Sequence, residues 1–194
     1  MTLFAILRHG PTAWSADGRL QGRRDLPLSA EGRRRVAAWR LPSDLAGCTW
    51  RVSPLARARE TAALLGISHA ITESALIEMD WGEWEGQRLA ELRARVPEMA
   101  AMEAAGLDFR PPGGESPRAV QARLRPLLAG IAQDGIPMAA VAHKGIVRAL
   151  FALATGWDMR AKPPQRLAED AVHLFELDRT GTPAVCRLNL PLAR

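Results

Sequence analysis

The sequence predicts an α/β fold, a three-layer sandwich in which a mostly parallel sheet is flanked by helices. Two observations predict it: short apolar runs of strand length alternate with segments of helical apolar spacing, and a pair of strand-like runs separated by a turn follows near the end of the chain. The 194 residues are long enough for one core and short for two, and no internal repeat is present. A single domain over 1–194 is therefore expected.

Six short runs have the length and apolar content of strands. They cover residues 3–7, 49–53, 70–72, 138–142, 172–177 and 184–188. The turn sequence DRTGTP joins the last two runs, so these are expected to form an antiparallel hairpin at the C-terminal end.

Helix signals lie between the earlier runs. Ser29 is a suitable N-cap for a helix over residues 30–40, and Ser116 for a helix that begins with Pro117. A further helix over residues 145–154 ends before Gly156, a residue favoured at C-terminal caps. Strands that alternate with helices form parallel sheets, and such sheets bind ligands beyond the carboxyl ends of their strands.

The charge pattern argues against nucleic acid as a partner. The formal net charge is +5, and almost all of the positive charge comes from arginine, since Lys144 and Lys162 are the only lysines. Apart from the run GRRRVAAWR, these arginines are spread along the chain, and aromatic residues are few, which disfavours a nucleic-acid-binding surface. Anionic small molecules remain compatible with this charge, and the pattern leaves open whether the chain forms a homodimer.

Other function classes are disfavoured by what the sequence lacks. No apolar run approaches the roughly 18 residues needed to cross a bilayer, and no leader precedes the first strand, so a cytoplasmic protein without membrane attachment is expected. Cys48 and Cys186 are isolated, which favours two free thiols over a disulfide. The four histidines are scattered without metal-ligand spacing. We therefore expect neither a metal nor another cofactor.

Polar side chains follow three of the predicted strands. Arg8 and His9 end the first, Ser53 ends the second and His143 ends a later one, so they are expected to converge on one crevice. The fork of an arginine binds two phosphate oxygens at once, and a neutral histidine can act as a nucleophile. His143 also precedes a helix, whose first N–H groups favour an anion. As an isolated tripeptide, Arg8-His9-Gly10 is a weak signal.

Two further segments supply a second cation and an acid. Arg57 lies in the first turn of a helix, where its charge opposes the helix dipole unless an anion is present. The segment IEMDWGEWEG packs four acids and two tryptophans together. An acid beside apolar rings has a raised pKa, which suits a general acid. Glu78 is the first candidate, with Asp80 and Glu83 as alternatives.

Six segments in this order resemble the histidine phosphatase superfamily, the phosphoglycerate mutase-like proteins. They are LRHGPTAW, LQGRRDLPLSAEG, SPLARARETA, IEMDWGEWEG, PGGESPRAV and VAHKGIVRAL. The resemblance implies a phosphoryl-transfer site with no metal, acting on a small-molecule phosphate ester. It implies the following roles: His9 as the phosphorylated nucleophile, Arg8, Arg57 and His143 as the phosphate pocket, Glu78 as the proton donor, and Gln21 and Gly22 as substrate contacts.

The sequence departs from the family pattern at two positions of the site. Ser15 stands where the family often has a phosphate-binding asparagine, and its shorter side chain is expected to act through water. Lys144-Gly145 replaces a usual pair of glycines. Lys144 either extends into solvent or leans over the crevice to contact a second anionic group of the substrate.

The phosphatase branch of the family is the preferred interpretation. Mutases carry a long insertion between the acid motif and the GES segment, whereas here only a short stretch separates Glu78 from Glu115. That stretch has room for one cap helix, around residues 89–105, and a loop. The resemblance therefore implies a phosphomonoester hydrolase that works through a phosphohistidine. Two alternatives stay open: phosphoryl transfer of the mutase type, and a phosphate-binding module without turnover.

Overall fold

The computed structural model describes residues 1–192, and these contain one mixed sheet of six strands. The strands are β1 (Thr2–Arg8), β2 (Thr49–Val52), β3 (Ile71–Thr72), β4 (Met138–Ala142), β5 (Ala171–Leu177) and β6 (Pro183–Pro191). Their order is β3-β2-β4-β1-β5-β6. The three pairs from β3 to β1 are parallel, while β5 pairs antiparallel with both β1 and β6. The mostly parallel sheet and its C-terminal hairpin are thus confirmed.

Seven α-helices lie within the described residues. They are α1 (Ala13–Ala16), α2 (Ala30–Ala38), α3 (Ala56–Leu64), α4 (Leu89–Arg95), α5 (Met99–Ala104), α6 (Pro117–Asp134) and α7 (Lys144–Thr155). The predicted caps form: the Ser29 hydroxyl accepts from the N–H of Gly32, and the Ser116 hydroxyl accepts from that of Ala119. No helix in this part of the chain is long and apolar enough to cross a membrane.

The core lies on both faces of the sheet, because side chains alternate along each strand. Phe4 and Ile6 of β1 pack on one face with residues of α6 and α7. Ala5 and Leu7 face the other way and pack with residues of α2 and α3. Helices cover both faces of the central strands, and the predicted three-layer sandwich is confirmed.

Two helix predictions need correction. The helix expected over residues 30–40 ends at Ala38, because Trp39 adopts an extended backbone and buries its ring in the core. The single cap helix expected over residues 89–105 is two short helices, α4 and α5. Between them Val96 leaves the helical region, with φ −94° and ψ 108°, because Pro97 disfavours a helical conformation in the residue before it. The cap is therefore a bent pair of helices.

The order of the strands brings the predicted site residues together. Strands β2, β4 and β1 are neighbours, and Ala142 of β4 lies opposite Arg8 of β1. Directly beyond the strands, the His9 N–H donates to the Ala142 carbonyl at 3.0 Å, and the Ser53 N–H donates to the Val141 carbonyl at 3.0 Å. The side chains that follow the three strands therefore meet at one edge of the sheet.

Candidate active site

A cleft of about 700 Å³ opens at this edge of the sheet. Its walls include His9 and Arg8 after β1, Arg57 from α3, Glu78 from the loop that follows β3, and the first residues of α7. His143 lies one layer deeper, fully buried, with its ring centroid 5.1 Å from that of His9. Four of the five residues expected to carry the chemistry thus line one cavity, and the fifth, His143, lies behind His9.

His9 is held as one tautomer. Its Nδ1 lies 2.7 Å from the Gly10 carbonyl, which can only accept, so Nδ1 carries the hydrogen. Its Nε2 accepts from Nε of Arg57 at 3.2 Å and therefore holds a lone pair. Burial, followed by the charges of Arg8 and Arg57, keeps the pKa of His9 well below its usual range. The ring is neutral near pH 7, as a nucleophile requires.

Gly10 is required by packing against α2. A Cβ at this position would lie 2.2 Å from Cγ2 of Val36, a fully buried side chain. The Gly10 N–H also donates to the Thr61 hydroxyl at 3.0 Å, and that hydroxyl donates to the Arg57 carbonyl at 2.7 Å. Gly10 therefore joins the nucleophile to both α2 and α3.

Arg57 is completely buried and held by backbone carbonyls. Its Nη2 donates to the Gly22 carbonyl at 2.7 Å, and its Nη1 donates to the Arg24 carbonyl at 2.8 Å. Both terminal nitrogens are thus anchored by the loop that follows α1. Such anchoring leaves the guanidinium little freedom and sets its Nε beside the ring of His9.

Two buried nitrogen atoms at the back of the site have no partner among the described residues. They are Nε of Arg8 and Nδ1 of His143. His143 uses its other nitrogen, Nε2, in a 2.7 Å hydrogen bond with the Ser53 hydroxyl. A phosphate oxygen would accept from Nε of Arg8. A second would accept from Nδ1 of His143 in the tautomer that carries its hydrogen there, with the Ser53 hydroxyl donating to Nε2. Burial lowers the pKa of His143 well below its usual range. Repulsion from His9, when that ring is protonated, and from Arg57 lowers it further, so the ring of His143 is also neutral.

Glu78 is a buried carboxyl group at the cleft. One oxygen accepts from the Met79 N–H at 2.8 Å and the other accepts from the Gly145 N–H at 3.2 Å. Burial raises its pKa above the usual range and outweighs these hydrogen bonds and two arginines. A Cβ at Gly145 would lie 2.4 Å from Oε1 of Glu78, so the glycine makes room for the acid.

The alternative acids are placed differently. Asp80 accepts from the Gly82 N–H at 2.8 Å and lies 3.6 Å from Arg23, and Glu83 is exposed. Glu78 is the one of the three candidates in the cleft lining defined by residues 1–192. The geometry therefore favours Glu78 as the acid.

The four predicted substrate contacts all line the cleft, and each already has a partner. Gln21 accepts from the Thr12 hydroxyl at 2.8 Å, and the Gly22 carbonyl holds Arg57. The Ser15 hydroxyl accepts from the Thr12 N–H at 2.8 Å and belongs to the cap of α1. Lys144 donates to Oε1 of Glu169 at 2.8 Å. Their roles toward a substrate stay predictions.

Glu169 is a residue of the site that the sequence did not indicate. Its Oε1 accepts from Lys144, and its Oε2 forms an ion pair with Arg8. It lies in the irregular segment between α7 and β5, where neither a strand end nor a helical period marks it. Arg8, expected to bind phosphate with its full fork, thus shares one terminal nitrogen with an internal carboxylate.

The sequence of this chain also matches the model of a known protein family. The model of the histidine phosphatase superfamily (branch 1) matches residues 4–190. The chain belongs to this superfamily. Among its relatives, a glucosyl-3-phosphoglycerate phosphatase of Mycobacterium tuberculosis is 33% identical, over 76% of this chain and 72% of the relative. A 2,3-bisphosphoglycerate-dependent phosphoglycerate mutase of Methylobacterium radiotolerans is also 33% identical, over 96% of this chain and 90% of the relative.

Solved structures share the fold of this chain. A mycobacterial glucosyl-3-phosphoglycerate phosphatase in complex with VO3 superposes with a TM-score of 0.79 at 27% identity, covering 100% of both chains. A phosphoserine phosphatase from Entamoeba histolytica in complex with 3-phosphoglyceric acid gives 0.80 at 21% identity, covering 97% of both chains. The second likeness bears on the fold alone.

The buried neutral histidines should make the protein sensitive to mild acid. Burial lowers the pKa of His9, His143 and His173, whereas in the unfolded chain a histidine binds a proton below about pH 6.5. The unfolded state then binds more protons than the folded state. The free energy of unfolding should fall by about 1.4 kcal/mol per pH unit for each such histidine below that pH.

Urea unfolding at pH 7.5 and at pH 5.5 measures this effect. The difference in unfolding free energy between the two pH values should shrink in a variant carrying His9→Asn and His143→Asn. A free energy that stays constant in the native protein would show that these rings take up protons while the protein is folded.

Proposed function

We propose that this chain hydrolyses phosphomonoesters of small metabolites through a phosphohistidine intermediate on His9. The observation that carries the proposal is the neutral Nε2 of His9 beside Arg57, with the buried acid Glu78 in the same cleft. A lone pair, a cation and a proton donor are the three elements that phosphoryl transfer to a histidine needs. Phosphatase relatives support the same reaction class.

In the first step Nε2 of His9 attacks phosphorus as the ester oxygen departs. The P–O bond breaks while the N–P bond forms, and protonated Glu78 gives its proton to the leaving oxygen, which departs as an alcohol. The hydrogen on Nδ1 stays with the ring and continues to donate to the Gly10 carbonyl. Glu78 is left as a carboxylate beside the N–H groups of Met79 and Gly145.

In the second step water replaces the histidine. The Glu78 carboxylate takes a proton from the water as its oxygen attacks phosphorus, and the N–P bond breaks. The electron pair of that bond returns to Nε2, inorganic phosphate leaves, and Glu78 is protonated again. Each turnover therefore restores both groups to their starting protonation states.

Cationic and N–H donors hold the phosphoryl group during both steps. Arg8 and Arg57 balance its charge, and the Nδ1–H of His143 donates to one of its oxygens. Arg57 and His143 are fixed by buried contacts before the substrate arrives, so these two donors need little reorganisation in the transition state. Gln21 and Gly22 contact the rest of the substrate. Ser15 contacts the phosphate through water.

Hydrolysis is proposed ahead of mutase-type transfer. The stretch between Glu78 and the GES segment is short, with two small helices, α4 and α5. The mutase relative keeps transfer as the second candidate. A panel of sugar phosphates, nucleotides, phosphoglycerates and phosphoamino acids distinguishes the two. Hydrolysis releases inorganic phosphate in proportion to ester consumed, whereas a mutase moves the group between positions without net release.

A binding module without turnover is the third candidate. It predicts saturable binding of inorganic phosphate with no consumption of any ester in the same panel. Protein shown to be folded and to bind phosphate, but inactive on every ester, would replace the hydrolase proposal with this one.

Activity should be independent of metal ions. Arg8, Arg57 and the N–H groups of the site supply the positive potential that Mg²⁺ supplies in other phosphoryl-transfer enzymes. We expect full activity after exhaustive dialysis against EDTA, measured as phosphate release. Activity that is lost on chelation and returns only with added Mg²⁺ would contradict this role of the arginines.

A further inference from the structure

A second cavity, of about 460 Å³, adjoins the cleft and shares a wall with it. Arg8, Lys144, Arg148, Lys162 and Glu169 line both. We call the second one the side cavity. Its cationic residues are Arg8, Lys144, Arg148, Lys162 and Arg166, and among the described residues its one carboxylate is Glu169. The side cavity is therefore strongly electropositive.

Glu169 forms ion pairs with two of these cations. It accepts from Lys144 with one oxygen and pairs with Arg8 through the other. Arg148, Lys162 and Arg166 remain, and within residues 1–192 none of them lies within ion-pair distance of a carboxylate. Three cations lining a cavity of this size repel one another, and an anion placed among them relieves that repulsion.

Arg148 is the fixed member of this group. Its guanidinium carbon lies 4.8 Å from the ring centroid of Trp157, a buried side chain of the core. The side chain is half-buried, and burial lowers its pKa. A half-buried cation without a carboxylate partner loses hydration free energy. A bound anion would compensate for that loss. Stacking on a tryptophan leaves its N–H groups free to donate to such an anion.

We propose that the side cavity binds a second anionic group of the substrate, a carboxylate or a phosphate, through Arg148, Lys162 and Arg166. The inference rests on the proposed hydrolase function, because it assumes that the ester phosphate occupies the site of His9. The wall shared through Arg8 puts both groups within reach of one small molecule. The proposal assigns the contact with the second anion to these three residues instead of Lys144, which is already paired with Glu169.

A matched series of esters tests the proposal. Linear alkyl phosphates of three to six carbons are prepared with a terminal hydroxyl, a terminal carboxylate or a terminal phosphate, so that the distance between the groups is scanned. At the best length, KM for an anionic terminus should be at least about tenfold lower than for the hydroxyl, with similar kcat. The preference should shrink at high salt, because these contacts are partly exposed.

Paired variants assign the preference to the side cavity. Lys162→Ala with Arg166→Ala removes two exposed cations and leaves the stacked Arg148 in place. Arg59→Ala with Arg125→Ala removes the same charge from exposed positions outside both cavities. The first variant should raise KM for the anionic terminus about tenfold and spare kcat, while the second should keep the native preference.

The outcomes separate this inference from the proposed function. If p-nitrophenyl phosphate is hydrolysed but hydroxyl and anionic termini give equal KM values at every length, the side cavity is not an anion site. The same holds if the two paired variants behave alike. If no ester is hydrolysed, the hydrolase proposal fails, and calorimetric binding of the same probes still decides whether the anionic terminus is preferred. A preference for one of carboxylate or phosphate identifies the group.

Discussion

Replacing His9 by asparagine should lower kcat for every phosphomonoester by at least about 10⁴-fold. The variant keeps a polar side chain but lacks the Nε2 lone pair that attacks phosphorus. Arg8 and Arg57 stay in place, so binding of inorganic phosphate should persist. Initial rates of phosphate release and calorimetric titration with phosphate measure the two effects separately.

His69 offers a matched control for this variant. It is an exposed histidine outside the cleft, and His69→Asn should leave kcat within about twofold of the native value. A His9→Asn protein that binds phosphate and retains more than a hundredth of the native kcat would transfer the nucleophile to another residue.

Replacing Glu78 by glutamine should slow hydrolysis of an alkyl phosphate by about 10²–10⁴-fold, the usual contribution of a general acid. Glutamine matches the shape of the protonated acid but cannot give a proton to a departing alkoxide. The loss should be far smaller with p-nitrophenyl phosphate, whose leaving group departs without a proton. Rates for both esters, measured on one preparation, give the ratio that tests this role.

The pH profile provides a second test of Glu78. Its pKa is raised by burial, and the acid acts in its protonated form, so kcat/KM for an alkyl phosphate should fall as the pH rises through that raised pKa. The fall should be absent in Glu78→Gln. Equal losses on both esters, with an unchanged profile, would assign proton transfer to Asp80 or Glu83 instead.

The sheet and the strand ends were predictable because their signals are local. Apolar runs locate the strands, and polar residues stand at the strand ends, so the meeting of Arg8, His9 and His143 at one edge of the sheet follows from the sequence alone. The break between α4 and α5 was also signalled, by Pro97, and the prediction of one cap helix overlooked it. The resemblance to the superfamily then supplied roles that spacing alone left open.

Contacts that join distant loops were not predictable. Glu169 meets Arg8 and Lys144 only because the segment before β5 folds back over the cleft. The sequence left two positions open for Lys144, in solvent or over the crevice, and it could not show the ion pair with Glu169. Gly10 is similar, since its packing against Val36 depends on the position of α2. Such contacts depend on tertiary packing, which no periodicity records.

The identity of the phosphorylated residue is the decisive test of His9 as the nucleophile. A brief reaction with an ester carrying labelled phosphate, stopped in alkali, preserves a phosphohistidine, and peptide mapping then locates the label. The proposed nucleophilic role of His9 predicts label on the peptide that contains His9, and none in His9→Asn. Stable label on a serine or an aspartate, or on His143 in the native protein, would contradict it.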